Sequence, residues 1–272
     1  MLSSPFGNEP LEEIPLDRSP LERVIGQVVL PRLARLSPQG SDLDAIRDLI
    51  QHLSRDYPVL NEGHEISLRI DPSGVTQEKG PLIRSFQSAD GHWTATVGEA
   101  SIALDTTAYT SRADFLARLT GLIEVVGKAL DIPTELQVAR VGVRYVNRVS
   151  DWDLLKQAHL FVRSEGRGGF AVERPEHVQL VHAMSDSLYH LGNDRLLQAR
   201  WGLLPGGFGN LPGVTGLPGP SWILDLDSYT QQPQLFEPAN LTALIETMAA
   251  TAYRYFRWLV TPEFITTFGG SQ

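Results

Sequence analysis

Leu104-Asp105-Thr106-Thr107-Ala108-Tyr109 and Leu224-Asp225-Leu226-Asp227-Ser228-Tyr229 align without gaps, and around them the chain divides into two series of like elements. Each segment follows a hairpin-like pair of strand-forming runs and precedes a long amphipathic stretch, with Phe115 and Phe236 similarly placed beyond the tyrosine. Each series also starts on a β-branched run, around Val24 and around Val141. The shared order is strand, helix, several strands, long helix. Adjacent strands followed by helices indicate antiparallel sheet with helices on one side, an α+β fold. The expected organisation is a flexible N-terminal arm over residues 1–19, a first α+β half over 20–134 and a second over 135–272. The halves are expected to pack as one pseudo-symmetric unit, because no linker separates them.

The individual elements follow from periodicity and punctuation. Leu21 to Leu30 reads as a strand ended by Pro31. Ser41, with Asp44 three residues on, is placed to open a helix whose apolar stripe is Ile46, Leu49, Ile50 and Leu53. Strands are expected at His64–Ile70, Leu82–Ser88, Trp93–Gly98 and Ser101–Asp105, with a turn at Ala89-Asp90-Gly91. Ser111 and Asp114 cap a helix carrying Phe115, Leu119, Leu122 and Val126. Leu136–Val149 reads as one long strand, Trp152–His159 as a short helix, and Val178–Tyr189, Arg195–Leu204 and Trp222–Asp227 as strands. The last helix runs from about Asn240 to Leu259 and is ended by Thr261-Pro262. Pro205 to Pro220 is too rich in Gly and Pro for either regular state, and loops beyond ~12–15 residues often serve function, so it is a candidate lid or contact loop.

Composition narrows the function classes. Of 272 residues, 42% are apolar and 20% charged, enough for a full-sized core. A net charge of −9 argues against general nucleic-acid or anionic-membrane binding, both of which need a positive field. There is no cysteine, which removes disulfides, thiol catalysis and thiolate metal sites and fits a cytoplasmic setting. The first residues lack a signal-peptide pattern, and no apolar run approaches the ~20 residues of a membrane span. The arm is expected to be mobile unless a partner or the body holds it.

The most informative strand is Arg140-Val141-Gly142-Val143-Arg144-Tyr145-Val146-Asn147-Arg148. Period-two alternation sets Arg140, Gly142, Arg144, Val146 and Arg148 on one face and Val141, Val143, Tyr145 and Asn147 on the other. Three guanidiniums in a row either bind phosphate or carboxylate groups, joined by Arg200, or pair with neighbouring acids on a solvated face. Asp225 and Asp227 share a strand face and could hold a hard divalent cation such as Mg²⁺ through oxygen, or serve as structural residues. No other cofactor is expected. His52, His64, His92, His159, His177, His182 and His190 form no ligand cluster, and no nucleophile elbow, P-loop or dinucleotide fingerprint is present. Tyr253, Tyr255, Phe256 and Trp258 crowd the last helix, mostly as core, with a dimer or partner contact as the other possibility.

Several of these segments together resemble a sporadically distributed family of bacterial conserved hypothetical proteins. The resemblance lies in Pro20 to Val28, Gly91-His92-Trp93, Leu104 to Tyr109 with Phe115, Arg140 to Arg148, Leu224 to Tyr229 and Thr266-Thr267-Phe268-Gly269, in that order. It implies a single unit of about this length and brings no catalytic residue with it. The family's patchy distribution is the kind seen for genes on mobile or defence-related loci. The leading functional expectation is a non-enzymatic binding or protein-interaction component with a protein partner or as a homodimer. The alternative is a nucleotide- or phosphate-ligand-binding enzyme or sensor using Arg140, Arg144, Arg148 and Arg200 with Asp225 and Asp227.

Overall fold

The computed structural model describes residues 12–36, 42–71, 74–167, 175, 177–207 and 216–271. The chain is α+β: eleven strands and six α-helices are present among the described residues. The strands are β1 (Leu21–Val29), β2 (Val59–Asp71), β3 (Gly74–Gln87), β4 (Trp93–Gly98), β5 (Ser101–Thr106), β6 (Gln137–Val138), β7 (Arg140–Val149), β8 (Ala183–His190), β9 (Arg195–Leu204), β10 (Ser221–Thr230) and β11 (Gln234–Leu235). The helices are α1 (Leu43–Leu53), α2 (Arg112–Ala129), α3 (Trp152–Lys156), α4 (Ala158–Phe161), α5 (Pro238–Leu259) and α6 (Pro262–Thr267). Nine strands make one sheet in the order β2-β3-β4-β5-β1-β7-β10-β9-β8, while β6 and β11 pair by themselves.

Several expected boundaries shift for local reasons. Asp42, not Ser41, caps α1: its carboxylate accepts from the backbone N–H groups of Asp44 and Ala45. The Ala45 bond above all holds the Asp42 carboxyl below the usual carboxylate range. Ser41 itself lies outside the described residues. The expected strand from Leu136 to Val149 is two elements, because Gln137 and Val138 turn away to pair with Leu235 and Gln234 before β7 begins. Only Ala183 onward of the expected Val178–Tyr189 strand is strand, and Gly192, Asn193 and Asp194, all at positive φ, turn β8 into β9. Thr261-Pro262 ends α5 as expected and also opens α6, with Thr261 as its N-cap and Pro262 in its first turn.

Two compact units are distinguished by their internal contacts, one of Met1–Val24, Arg144–Tyr229 and Thr247–Gln272, the other of Ile25–Val143 and Thr230–Glu246. In the second, α2 lays Phe115, Leu119, Leu122, Ile123 and Val126 against the sheet. Gly26 of β1 is where the helix comes closest: a Cβ there would stand 2.6 Å from Leu119 and 3.2 Å from Phe115. Trp93 stacks on Phe115, and the Arg118 guanidinium lies 4.4 Å above the Trp93 ring.

In the first unit, the core is aromatic. Trp201, Trp222, Tyr255, Trp258, Phe264 and Phe268 join Val149, Leu197, Leu224 and Leu226 in one cluster. Tyr255 and Trp258 of α5 are thus core, while Tyr253 and Phe256 are half-buried. Ile14 and Leu16 pack on the same cluster. Arg18 is held through its backbone N–H on Phe268 O and its guanidinium on Thr267 O, and the Tyr253 hydroxyl accepts from Ile14 N at 2.8 Å. Residues 12–19 of the N-terminal arm therefore lie along the chain's C-terminal turn, and residues 1–11 lie outside the described residues.

Candidate functional site

The alternation of β7 works out as read from its sequence, and it divides two clusters. Tyr145 and Val149 join the aromatic cluster with α5, whereas Val146 packs with Leu204, Ile223 and Met184. The arginines on the Val146 side do not form a solvated face. Arg148 keeps 4% of its side chain exposed and Arg144 14%.

Each arginine is matched by a group on a neighbouring strand. Arg144 grips Asp225 of β10 bidentately, Nε to Oδ1 at 2.6 Å and Nη2 to Oδ2 at 2.8 Å. Arg200 of β9 brings Nη1 to 3.6 Å from the same Oδ2 and donates from Nε to Asp186 of β8 at 3.2 Å. Gln198 donates to the other Asp186 oxygen at 3.1 Å. Across β7, β10, β9 and β8 the charges therefore run Arg144, Asp225, Arg200, Asp186, two of each sign in alternation. Arg148 sits 3.5 Å from Glu22 of β1, and Arg140 donates to Gln27 Oε1 at 3.3 Å.

Asp225 is 1% exposed, and such burial is tolerable for a carboxylate only with paired, hydrogen-bonded cations around it. Arg144 supplies most of that, and a fork-to-fork pair is the strongest geometry available. An incoming anion would have to displace Asp186 from Arg200, the more accessible end. An incoming cation would have to displace Arg144 from Asp225. Asp227, the other half of the Asp-x-Asp pair, is half-buried. Among the described residues no group of three or more His, Asp or Glu side chains is placed to hold a metal ion.

Sequence reasoning grouped Arg144, Arg200 and Asp225 as candidates for one site, as anion binders and a metal ligand, and missed Asp186, Gln198, Glu22 and Gln27, which complete the pairing. The signal for Asp186 lay in the turn. A hairpin closed at Gly192-Asn193-Asp194 carries Asp186 opposite Arg200, the register observed. A further carboxylate was not singled out: Glu99, wholly buried between β4 and β5, accepts from Arg32 Nε at 2.5 Å.

An open concavity of this unit lies elsewhere. A cleft of about 650 Å³ is lined by Leu155, Val178, Leu180, Val181, Leu203 and Pro205, with Lys156 and His159 as its basic groups. It forms where the chain before β8 parts from the end of β9: pairing runs as far as Ala183 with Leu203 and stops. Pro205, without an N–H, cannot extend the ladder. Lys156 is already engaged with Asp153 at 3.0 Å. The Gly/Pro loop leaves from this place; Gly207 N bonds Leu217 O at 2.6 Å, and residues 208–215, the middle of the candidate lid, lie outside the described residues. No helix is long and apolar enough to cross a membrane among the described residues. No protein-family model matches the chain, and no curated protein matches it.

Proposed function

We propose that the chain is a non-enzymatic binding component that recognises another protein through the apolar cleft bounded by Leu155, Val178, Val181 and Leu203. The observation that supports this most is the division of labour in the first unit. Its one fully buried carboxylate, Asp225, is paired by Arg144 and flanked by Arg200, which Asp186 engages in turn, while a largely apolar concavity presents Val178 and Val181 at 45% and 61% exposure. Exposed apolar surface of this kind favours a partner that covers it. We read the chain as a member of the patchily distributed bacterial family it resembles, acting in the cytoplasm as one component of a mobile or defence-related locus. We also read it as an internal duplication. The strand order runs β1, β5, β4, β3, β2 one way and β7, β10, β9, β8 the other, and the sequence of β1, β5, β4, β3 against β7, β10, β9, β8 supports this reading, with β2 lacking a counterpart.

The test is co-expression with the product of the neighbouring gene, followed by size-exclusion chromatography of the wild type and of Val181→Asp. The expected result is a complex that the substitution weakens by roughly tenfold or more, as for a central apolar contact worth at least about 1.4 kcal/mol. A complex indifferent to Val181→Asp would move the contact away from the cleft, and no complex would remove the reading. The phosphate-ligand reading is separated by a nucleotide thermal-shift panel with and without Mg²⁺. A true ligand at 100 times its Kd stabilises by about 2.7 kcal/mol, and a shift abolished by Arg200→Gln would replace protein recognition with anion binding.

A further inference from the structure

Ile14-Pro15-Leu16-Asp17-Arg18 of the N-terminal arm lies on a seat made by α5, α6 and the turn after α6, all within the first unit. The turn explains what the seat offers. Gly269 stands at φ 84°, its N–H donates to Thr266 O, and the N–H of Gly270 donates to Ile265 O, a Schellman end for α6. Phe264 O accepts from the N–H of Phe268. The next two carbonyls, of Thr267 and Phe268, receive Arg18 instead, one its guanidinium and the other its backbone N–H. A cation is also the favourable charge at a helix C-terminus.

Before Arg18 the seat reads side chains at every second position. Ile14 and Leu16 pack on the aromatic cluster, and the Tyr253 hydroxyl accepts from Ile14 N at 2.8 Å. Pro15 and Asp17 are exposed, so the segment alternates as an extended chain does. Gly270 lets it lie close: a Cβ there would stand 2.7 Å from Leu16, 3.0 Å from Ile14 and 2.7 Å from Ile265. Unlike Gly269, Gly270 is not at positive φ, so the crowding of these side chains, not the backbone, calls for glycine. The arm is one side chain deep here. Glu12, Pro15, Asp17, Arg18 and Ser19 are all exposed, the kind of contact that opens locally before the fold does.

We propose that this seat is a peptide-recognition site, that residues 14–18 are its built-in occupant, and that an extended aliphatic-x-aliphatic-x-Arg segment of a partner protein takes their place. The pattern follows from the seat. The aromatic cluster and Gly270 select the aliphatic pair, while the Thr267 and Phe268 carbonyls select the arginine. Main-chain bonds combined with alternate side chains are how proteins hold extended peptides. The arm acts as a tethered competitor, lowering the partner's apparent affinity by the fraction of chains whose arm is away from the seat. None of the cleft residues take part, so this inference neither rests on the cleft reading nor falls with it.

The probe is a fluorescently labelled synthetic peptide of residues 12–20, titrated with the full chain and followed by anisotropy. The variant Ile14→Asp/Leu16→Asp/Arg18→Ala unseats the arm and should bind the peptide roughly tenfold or more tighter than the wild type does. A peptide carrying Leu16→Asp and Arg18→Ala should bind that variant roughly tenfold or more weaker. Should the triple variant fail to fold by circular dichroism, Arg18→Ala alone carries the comparison. It loosens the arm, leaves its aliphatic contacts in place, and should tighten peptide binding by roughly fivefold. Val181→Asp should leave peptide binding unchanged, and a loss there would place the peptide in the cleft and overturn the proposal. Equal binding by wild type and folded unseated chain, no binding by the latter, or indifference to the peptide's substitutions would overturn it as well.

Discussion

Asp225 lies in the middle of β10 with Arg144 and Arg200 on the strands to either side, whereas Asp105 lies one residue from the end of β5, opposite Thr94 of β4. The two belong to the same Leu-Asp-x-x-x-Tyr pattern, yet one is 1% exposed and the other half-buried. Their tyrosines diverge as well. Tyr229 stays within β10, while Tyr109 has left β5 and lies against Phe115 at 6.2 Å between centroids. A strand's own residues set which way its carboxylate points. The strands beside it set whether that carboxylate becomes a buried ion or a wetted one, and here an arginine on each flank made the difference.

The sharpest way to break this comparison is to remove the cation that most supports Asp225. Arg144→Met should cost about 3 kcal/mol, because it leaves a buried carboxylate with only the longer Arg200 contact. Arg144→Met/Asp225→Leu should recover most of that loss, since replacing a buried ion pair by apolar residues of similar size is often near neutral. Urea denaturation of both variants measures it. A full loss retained in the double variant would mean that shape, not charge, dominates at this position.

A second measurement separates the two regions by their buried phenols. Burial pushes the Tyr255 hydroxyl up in the first unit, reinforced by Tyr189, and burial also raises Tyr57 in the second, opposed by Arg118. Both groups fold best protonated. Their contribution is therefore complete below the ordinary tyrosine value of 10.0 and is lost as pH rises beyond it, when the unfolded chain ionises first. Stability should be flat in this range up to about pH 10 and then fall. Tyr255→Phe should make that alkaline fall shallower than in the wild type, and an unchanged slope would assign the decline to other groups.

The smallest effect is expected at the counterpart residue. Asp105→Asn should change stability by less than about 1 kcal/mol, the ordinary range for a half-exposed polar group. A loss as large as that of Arg144→Met would show that the two aspartates are energetically alike despite their surroundings.

Much of the local structure was legible because its causes are local. Ser111 caps α2, Asp90-Gly91 turns β3 into β4 with Gly91 at φ 76°, and the period-two pattern of β7 assigns its two faces correctly. The misreadings have local competitors or distant ones. At α1, Asp42 stood next to Ser41 and either could cap. At Gln137-Val138 a strand-like dipeptide left the run for a partner, β11, that lies about a hundred residues later and leaves no trace in the run itself.

What the sequence determined alone was the α+β class, the division of β7 into two faces and the strand character of Leu104-Asp105 and Leu224-Asp225, all matters of near-neighbour sterics and alternation. That Arg144 would close on Asp225, 81 positions away, was decided by tertiary structure. It depends on β10 lying beside β7 in one register, and a slip of a single residue would have sent that carboxylate to the other face of the sheet.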